Sequence, residues 1–123
     1  MGKTILAIDD DANMLLFYKA LLTEFGEVRL AANLREARKQ LSGVDLIILD
    51  FHLEQDAELI QDIARELKEL APILLCSGVQ DVGVQGIGAS LGISGYWNKG
   101  PDHETLRSLV RSTLAAERGS AHE

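Results

Sequence analysis

The chain has 123 residues, one domain's length, and at that size roughly two thirds of the unfolded surface can be buried without staples. Lys and Arg number 12 against 19 Asp and Glu, a formal charge of −7, which argues against a nucleic-acid or anionic-membrane surface and leaves room for carboxylates gathered around a cation. The single cysteine, Cys76, excludes an internal disulfide and a multi-cysteine zinc site, and no apolar run reaches a membrane span, so a cytoplasmic protein is expected.

Thr4–Ile8 is short and apolar, suited to a strand covered on both faces. Met14 to Phe25 is too long for a strand, and Met14, Phe17, Leu21, Leu22 and Phe25 predict a helix ended by a left-handed Gly26. Val28–Ala31 reads as a second strand. Asn33 and Glu36 form a capping-box-like pair ahead of a helix carrying Leu34, Ala37 and Leu41, stopped by Gly43. Asp45–Asp50 is the most strand-like run and ends in a carboxylate. A helix near Glu58–Leu70 presents Leu59, Ile60, Ile63, Leu67 and Leu70 on one face. Pro72 precedes a strand over Ile73–Ser77. Asp81–Leu91 holds Gly83, Gly86 and Gly88, each costing about 1 kcal/mol against alanine, and so predicts a weak helix. Gly95–Lys99 is the last strand, and Asp102 caps a last helix with Leu106, Leu109, Val110 and Leu114 at core spacing. The domain is expected over 1–117, with a flexible tail at 118–123.

Apolar strands alternating with helices imply an α/β fold: a parallel sheet covered by helices on both faces. In such sheets the site forms outside the carboxyl ends of the strands. Those ends carry Asp9-Asp10-Asp11, Asp50, Ser77 and Lys99. Crowded carboxylates either raise a pKa or recruit a cation, and oxygen-only ligands suit Mg²⁺. A lysine and a hydroxyl opposite them would meet the oxygens of a phosphoryl group, with Asp50 the candidate nucleophile.

Through ILAIDDD, LIILDFHL, ILLCSG and GYWNK, in that order, the chain resembles the receiver domain of two-component response regulators, the CheY-like family. The resemblance runs from Thr4 to about Leu114 and implies a three-layer αβα, flavodoxin-like (βα)5 fold with sheet order 2-1-3-4-5. It implies that Asp50 accepts a phosphoryl group from a histidine kinase or histidine phosphotransfer protein. Asp9 and Asp10 match the acidic pair that, with Asp50 and the backbone carbonyl of His52, holds Mg²⁺ (Mn²⁺ being the alternative). Ser77 matches the hydroxyl that bonds the phosphoryl group and shifts on activation, and Lys99 the lysine that pairs with its oxygens. Tyr96 matches the aromatic whose rotation follows that shift. The side chains of His52 and Val79 flank the path of an attacking water in the family. The output implied is protein–protein contact through the face of the fourth helix, fifth strand and fifth helix, with no direct contact to nucleic acid or membrane. The chain would be no enzyme beyond slow autodephosphorylation.

The chain departs from the family at Glu54 and Glu58, where a proline and a glycine are usual, and at Lys99-Gly100-Pro101, which interrupts the usual Lys-Pro pair. Two other readings stand beside the first. One is a pseudo-receiver that binds partners without being phosphorylated. The other is a small Mg²⁺-dependent aspartyl phosphatase of the haloacid dehalogenase type, against which stand the Asp9-Asp10-Asp11-Ala12-Asn13 sequence and the absence of room for a cap domain. Taken singly, an acidic strand end is often a helix cap, Cys76 a small core residue and Trp97 a packing residue on the face opposite Tyr96.

Overall fold

The computed structural model describes residues 2–53, 59–78 and 92–121; the weak helix expected over 81–91, Val79, Glu54 and Glu58 fall outside them. Strands β1 (Lys3–Ile8), β2 (Gly26–Ala31), β3 (Leu46–Asp50), β4 (Ile73–Gly78) and β5 (Gly95–Lys99) form one parallel sheet in the order β2-β1-β3-β4-β5. Helices α1 (Ala12–Leu22), α2 (Leu34–Arg38), α3 (Ile60–Lys68) and α4 (His103–Ala121) cover it. This is the expected αβα architecture with the expected strand order. Among the described residues no helix is long and apolar enough to cross a membrane.

The strands are apolar throughout because both faces of the sheet are covered, so alternate side chains enter two separate cores. Ile5, Ala7, Leu46, Ile48, Leu74 and Cys76 pack against Leu15, Tyr18 and Leu22 of α1 and Leu106, Val110 and Leu114 of α4. Leu6, Ile8, Ile47, Leu49, Ile73 and Leu75 pack on the other face against Leu34 and Ala37 of α2 and Ile60, Ile63 and Leu67 of α3. Each fully buried leucine or isoleucine contributes about 1.5–3 kcal/mol relative to exposure. Consecutive elements therefore change face between β1 and β3, and the crevice at that switch opens beside Asp9 and Asp50.

The structure shifts several expected boundaries. Helix α1 begins two residues earlier than Met14, and the chain from Thr23 to Phe25 tightens into a 3-10 turn. Its buried stripe is Leu15, Tyr18 and Leu22, while Met14, Phe17 and Leu21 flank that stripe half-buried. The sequence Leu15-Leu16-Phe17-Tyr18 is apolar all round, so periodicity alone could not choose the inward face. Leu59 and Leu70, expected on the buried face of the third helix, lie just outside α3 and are exposed. Asn33 caps α2 as expected, its Oδ1 accepting the Glu36 N–H at 2.9 Å, while Glu36 Oε1 accepts from Ala32 N–H at 3.0 Å. That helix ends at Arg38, short of Leu41. Helix α4 continues to Ala121, into the segment expected to be a tail.

Gly26 is the point at which the chain turns from the 3-10 turn into β2. Its φ is +145°, a region side chains rarely adopt, and a Cβ there would stand 2.1 Å from the Lys3 carbonyl oxygen of β1. Backbone cannot yield as a side-chain tip can. Gly26→Ala is therefore expected to destabilise the fold by about 2–4 kcal/mol in urea denaturation. A loss under about 0.5 kcal/mol, the size of an ordinary surface substitution, would contradict this account.

Candidate functional site

Three strand ends deliver the charged groups. The Asp9 N–H donates to the Ala31 carbonyl at 3.1 Å, extending the ladder between β1 and β2 by one residue and turning the Asp9 side chain inward. Its Oδ1 then accepts the Asp11 N–H at 2.9 Å. Asp11 itself caps α1, with Oδ1 accepting the Asn13 N–H at 2.9 Å. Of the acidic run, Asp11 thus does the ordinary work of a helix N-terminus, Asp9 is wholly buried and Asp10 is exposed.

Asp50 closes β3. The next N–H, of Phe51, donates to the Cys76 carbonyl at 2.7 Å, and the Leu53 N–H returns to the Asp50 carbonyl at 3.1 Å. Leu53 is fully buried and anchors this turn. The His52 N–H donates to Asp50 Oδ1 at 3.2 Å, while the His52 ring meets Phe51 edge-on at 5.2 Å. His52 therefore contributes backbone to the site; its ring is not among the groups clustered with the carboxylates.

Lys99 ends β5 and reaches across the end of β4. Its Nζ donates to Asp9 Oδ2 at 2.9 Å and to Asp50 Oδ1 at 3.1 Å. The strand before it is held by Trp97, whose Nε1 donates to the Asp102 carbonyl at 3.0 Å and whose ring stacks on Phe17 of α1 at 6.0 Å. Trp97 is thus a packing residue on the α1/α4 face, opposite Tyr96, which packs against the other core.

Asp9, Asp10 and Asp50 bring one oxygen each within 4.8 Å of one another. Three carboxylates against one ammonium leave two negative charges uncompensated when all are ionised. An all-oxygen, anionic donor set of this kind fits a hard divalent cation. Burial pushes the Asp9 carboxyl above its ordinary range; the bonds from Lys99 and Asp11 only partly oppose this, and the Asp50 charge adds to it. Burial works against the Lys99 ammonium, but its bonds to Asp9 and Asp50 outweigh burial and hold its pKa above the ordinary value.

Ser77 and Tyr96, the expected switch pair, do not join the ion cluster. Alternation along β4 puts Ser77 on the face of Ile73 and Leu75, the same core against which Tyr96 packs from β5. Ser77 is fully buried, and among the described residues its Oγ has no hydrogen-bond partner. A buried hydroxyl left so costs about 1–3 kcal/mol. Tyr18 carries no sequence signal that separates it from its apolar neighbours in α1; among the described residues its buried hydroxyl meets only the Cys76 thiol, without full hydrogen-bond geometry. Burial pushes the phenol far above its ordinary pKa, with Cys76, Asp9 and Asp50 adding to the effect. Cys76 is a buried core residue whose thiol burial pushes up to about 12, so it stays protonated.

A five-stranded parallel sheet in this order, covered by helices on both faces, is the fold of response-regulator receiver (CheY-like) domains. A receiver domain protein from Clostridium thermocellum is similar at 22% identity and a TM-score of 0.79, over 94% of this chain and 97% of that one. The BeF3-activated receiver domain of DrrB, a protein of Thermotoga maritima, is similar at 23% identity and a TM-score of 0.82, over 94% and 99%. NtrX from Brucella abortus is similar at 19% identity and a TM-score of 0.88, over 99% of this chain and 29% of that longer one. No protein-family model matches the chain, and no curated protein does. The likeness is therefore one of fold.

These two pKa shifts give the ion cluster's share of the pH dependence. A raised lysine stabilises the fold at all pH below its unfolded value, and that contribution is lost as pH rises through the folded value. A raised carboxyl binds its proton more tightly in the fold, so stability falls as pH rises through the window just above its ordinary value. Lys99→Ala removes the only countercharge among the described residues that touches both buried carboxylates. In metal-free buffer it is expected to cost about 2–4 kcal/mol at pH 7 and clearly less near pH 4, where the raised Asp9 carboxyl takes up a proton. Chemical denaturation at both pH values checks this; an equal loss at each would refute it.

Proposed function

We propose that the chain is a phosphoacceptor receiver domain of two-component or phosphorelay signalling. The observation that carries the reading is the buried ion cluster at the strand ends, with Lys99 held between Asp9 and Asp50. Its donor is the phosphohistidine of a histidine kinase or a histidine phosphotransfer protein. An Asp50 carboxylate oxygen attacks the phosphorus, the new O–P bond replaces the P–N bond, and the imidazole leaves with the bonding pair and takes up a proton. Asp9, Asp10, Asp50 and the His52 carbonyl would hold Mg²⁺, or Mn²⁺, which when bound supplies positive charge to the phosphoryl oxygens.

This chain's own residues do the remainder. Lys99, released from Asp50, pairs with a phosphoryl oxygen while keeping its bond to Asp9. Ser77, without a partner among the described residues, gains an acceptor, which rewards movement of the β4 end toward Asp50. Tyr96, on the same face as Ser77, follows that movement and carries it to the surface. There a hollow of about 370 Å³ lined by Tyr96, Trp97, Asn98, Asp102, Thr105 and Leu109 supports a docking face for a downstream protein. The unit so used spans residues 1–117 and works in the cytoplasm. Positioning and charge compensation suffice for this chemistry, because the donor supplies the reactive bond; turnover is confined to slow hydrolysis of the aspartyl phosphate.

Intact mass after incubation with acetyl phosphate and Mg²⁺ tests the reading. The natural chain is expected to gain one phosphoryl group and Asp50→Asn none. A gain that persists in Asp50→Asn would remove Asp50 as the acceptor. No gain in either, together with no thermal stabilisation by beryllofluoride and Mg²⁺, would leave a pseudo-receiver in its place.

A further inference from the structure

Lys99 stands at the end of the outermost strand. Among the described residues β5 pairs only with β4, and its last pair, Gly78 with Lys99, is where the chain leaves the sheet. A lysine stem is long and flexible, so its ammonium is only as well placed as the backbone that carries it. The two residues that follow do little to hold that backbone. Pro101 has no N–H to donate, and a Cβ on Gly100 would meet nothing beyond its chain neighbours nearer than the Asn98 carbonyl oxygen at 3.9 Å. Yet Lys99 Nζ lies 2.9 Å from Asp9 and 3.1 Å from Asp50.

The Trp97 side chain supplies what the loop lacks. Its Nε1–H donates to the Asp102 carbonyl at 3.0 Å, so the indole bridges the segment from Asn98 to Pro101 that contains Lys99. Both ends of the bridge are anchored. The indole is buried and stacks on Phe17 of α1, the rings 11° from parallel. Asp102 caps α4, its Oδ1 accepting the Thr105 N–H at 3.2 Å, and the His103 N–H donates to the Pro101 carbonyl at 2.9 Å. Trp97 and Lys99 are two apart on one strand and so project from the same face of the sheet. Trp97 pairs in register with Cys76, and Cys76 with Asp50, which sets the bridge in the row that carries the candidate nucleophile. An apolar side chain would serve packing alone; the bond to Asp102 is what the indole adds.

We infer that Trp97 is a positioning residue for the site: by holding the Asp102 carbonyl across the loop, its indole N–H fixes the backbone from which Lys99 reaches Asp9 and Asp50. The bridge stands independently of the receiver reading, while its effect on a phosphoryl group at Asp50 rests on that reading. It requires no movement. A bond already made in the empty site keeps the ammonium where a phosphoryl oxygen needs it, so binding does not first have to order the lysine.

The test uses the full chain with Trp97→Phe, Lys99→Met and the double variant, and Val110→Ala as a packing control in the same core. Trp97→Leu, an apolar replacement of different shape, repeats the Trp97→Phe measurements, so that a folding failure of one leaves the other. In urea denaturation in metal-free buffer, Trp97→Phe and Lys99→Met together are expected to lower the midpoint by less than the sum of their separate losses. Without the ammonium the bridge has nothing to position, whereas the losses of Val110→Ala and Lys99→Met are expected to add. The second probe is beryllofluoride with Mg²⁺. Trp97→Phe is expected to weaken its apparent affinity about fivefold, the loss of one ordinary hydrogen bond, and Val110→Ala to leave it unchanged. Additive midpoint losses for Trp97→Phe and Lys99→Met would overturn the inference. So would a beryllofluoride affinity that Trp97→Phe does not change, or that Val110→Ala weakens equally. A natural chain that ignores beryllofluoride and gains no phosphoryl mass would remove the receiver reading, and the denaturation cycle would still decide the role of Trp97.

Discussion

Lys99 donates to Asp9 and Asp50 at once, and through those two bonds the ends of β1, β3 and β5 are held at one point. Both carboxylates are buried, so each depends on that ammonium for the charge compensation that water would otherwise give. The compensation is incomplete: Asp9 remains harder to ionise than a free carboxyl. A fold built only for stability would place apolar residues at these strand ends. The uncompensated charge makes the rim a place where a cation, or a change of charge on Asp50, alters the energy of the whole arrangement.

Much of the surrounding structure holds the lysine in reach. Trp97 is clamped between the Phe17 ring and the Asp102 carbonyl, and the same Asp102 caps α4 through the Thr105 N–H at 3.2 Å. One residue thus fixes both the strand that carries Lys99 and the helix that follows it. On the opposite side, Leu53 is buried below the turn after Asp50, and Cys76 receives the Phe51 N–H. The β4 end lies between these two anchored regions, and the buried Ser77 hydroxyl there has no hydrogen-bond partner among the described residues. It is the element with most to gain from a change at Asp50, which is the property a switch requires.

How far the site could be read in advance depended on how each residue is held. Asp9, Asp50 and Lys99 end apolar strands, so their position followed from strand periodicity and the rule that sites form at carboxyl ends. Asp11 could not be separated from Asp9 in the same way, because both suit a helix N-terminus and only the bond from Asp11 N–H to Asp9 divides their roles. Tyr18 was hidden for a different reason. Residues 15 to 18 are apolar on every side of the helix, and the choice of Leu15, Tyr18 and Leu22 as the inward stripe was made by the contour of the sheet. Leu59 and Leu70 fit the helical period but fall beyond the ends of α3, and both are exposed.

The sequence by itself determined the parallel α/β class, the strand order through its likeness to receivers, and which charged residues stand at the strand ends. It could do so because apolar periodicity and capping are local, and two-sided burial leaves little choice of arrangement. Only the tertiary structure decided that Lys99 bridges Asp9 and Asp50, that Ser77 and Tyr96 share one face, and that Tyr18 reaches beneath the site. Those contacts join residues far apart in the chain, and their distances are set by sheet register and helix packing, which no local pattern encodes.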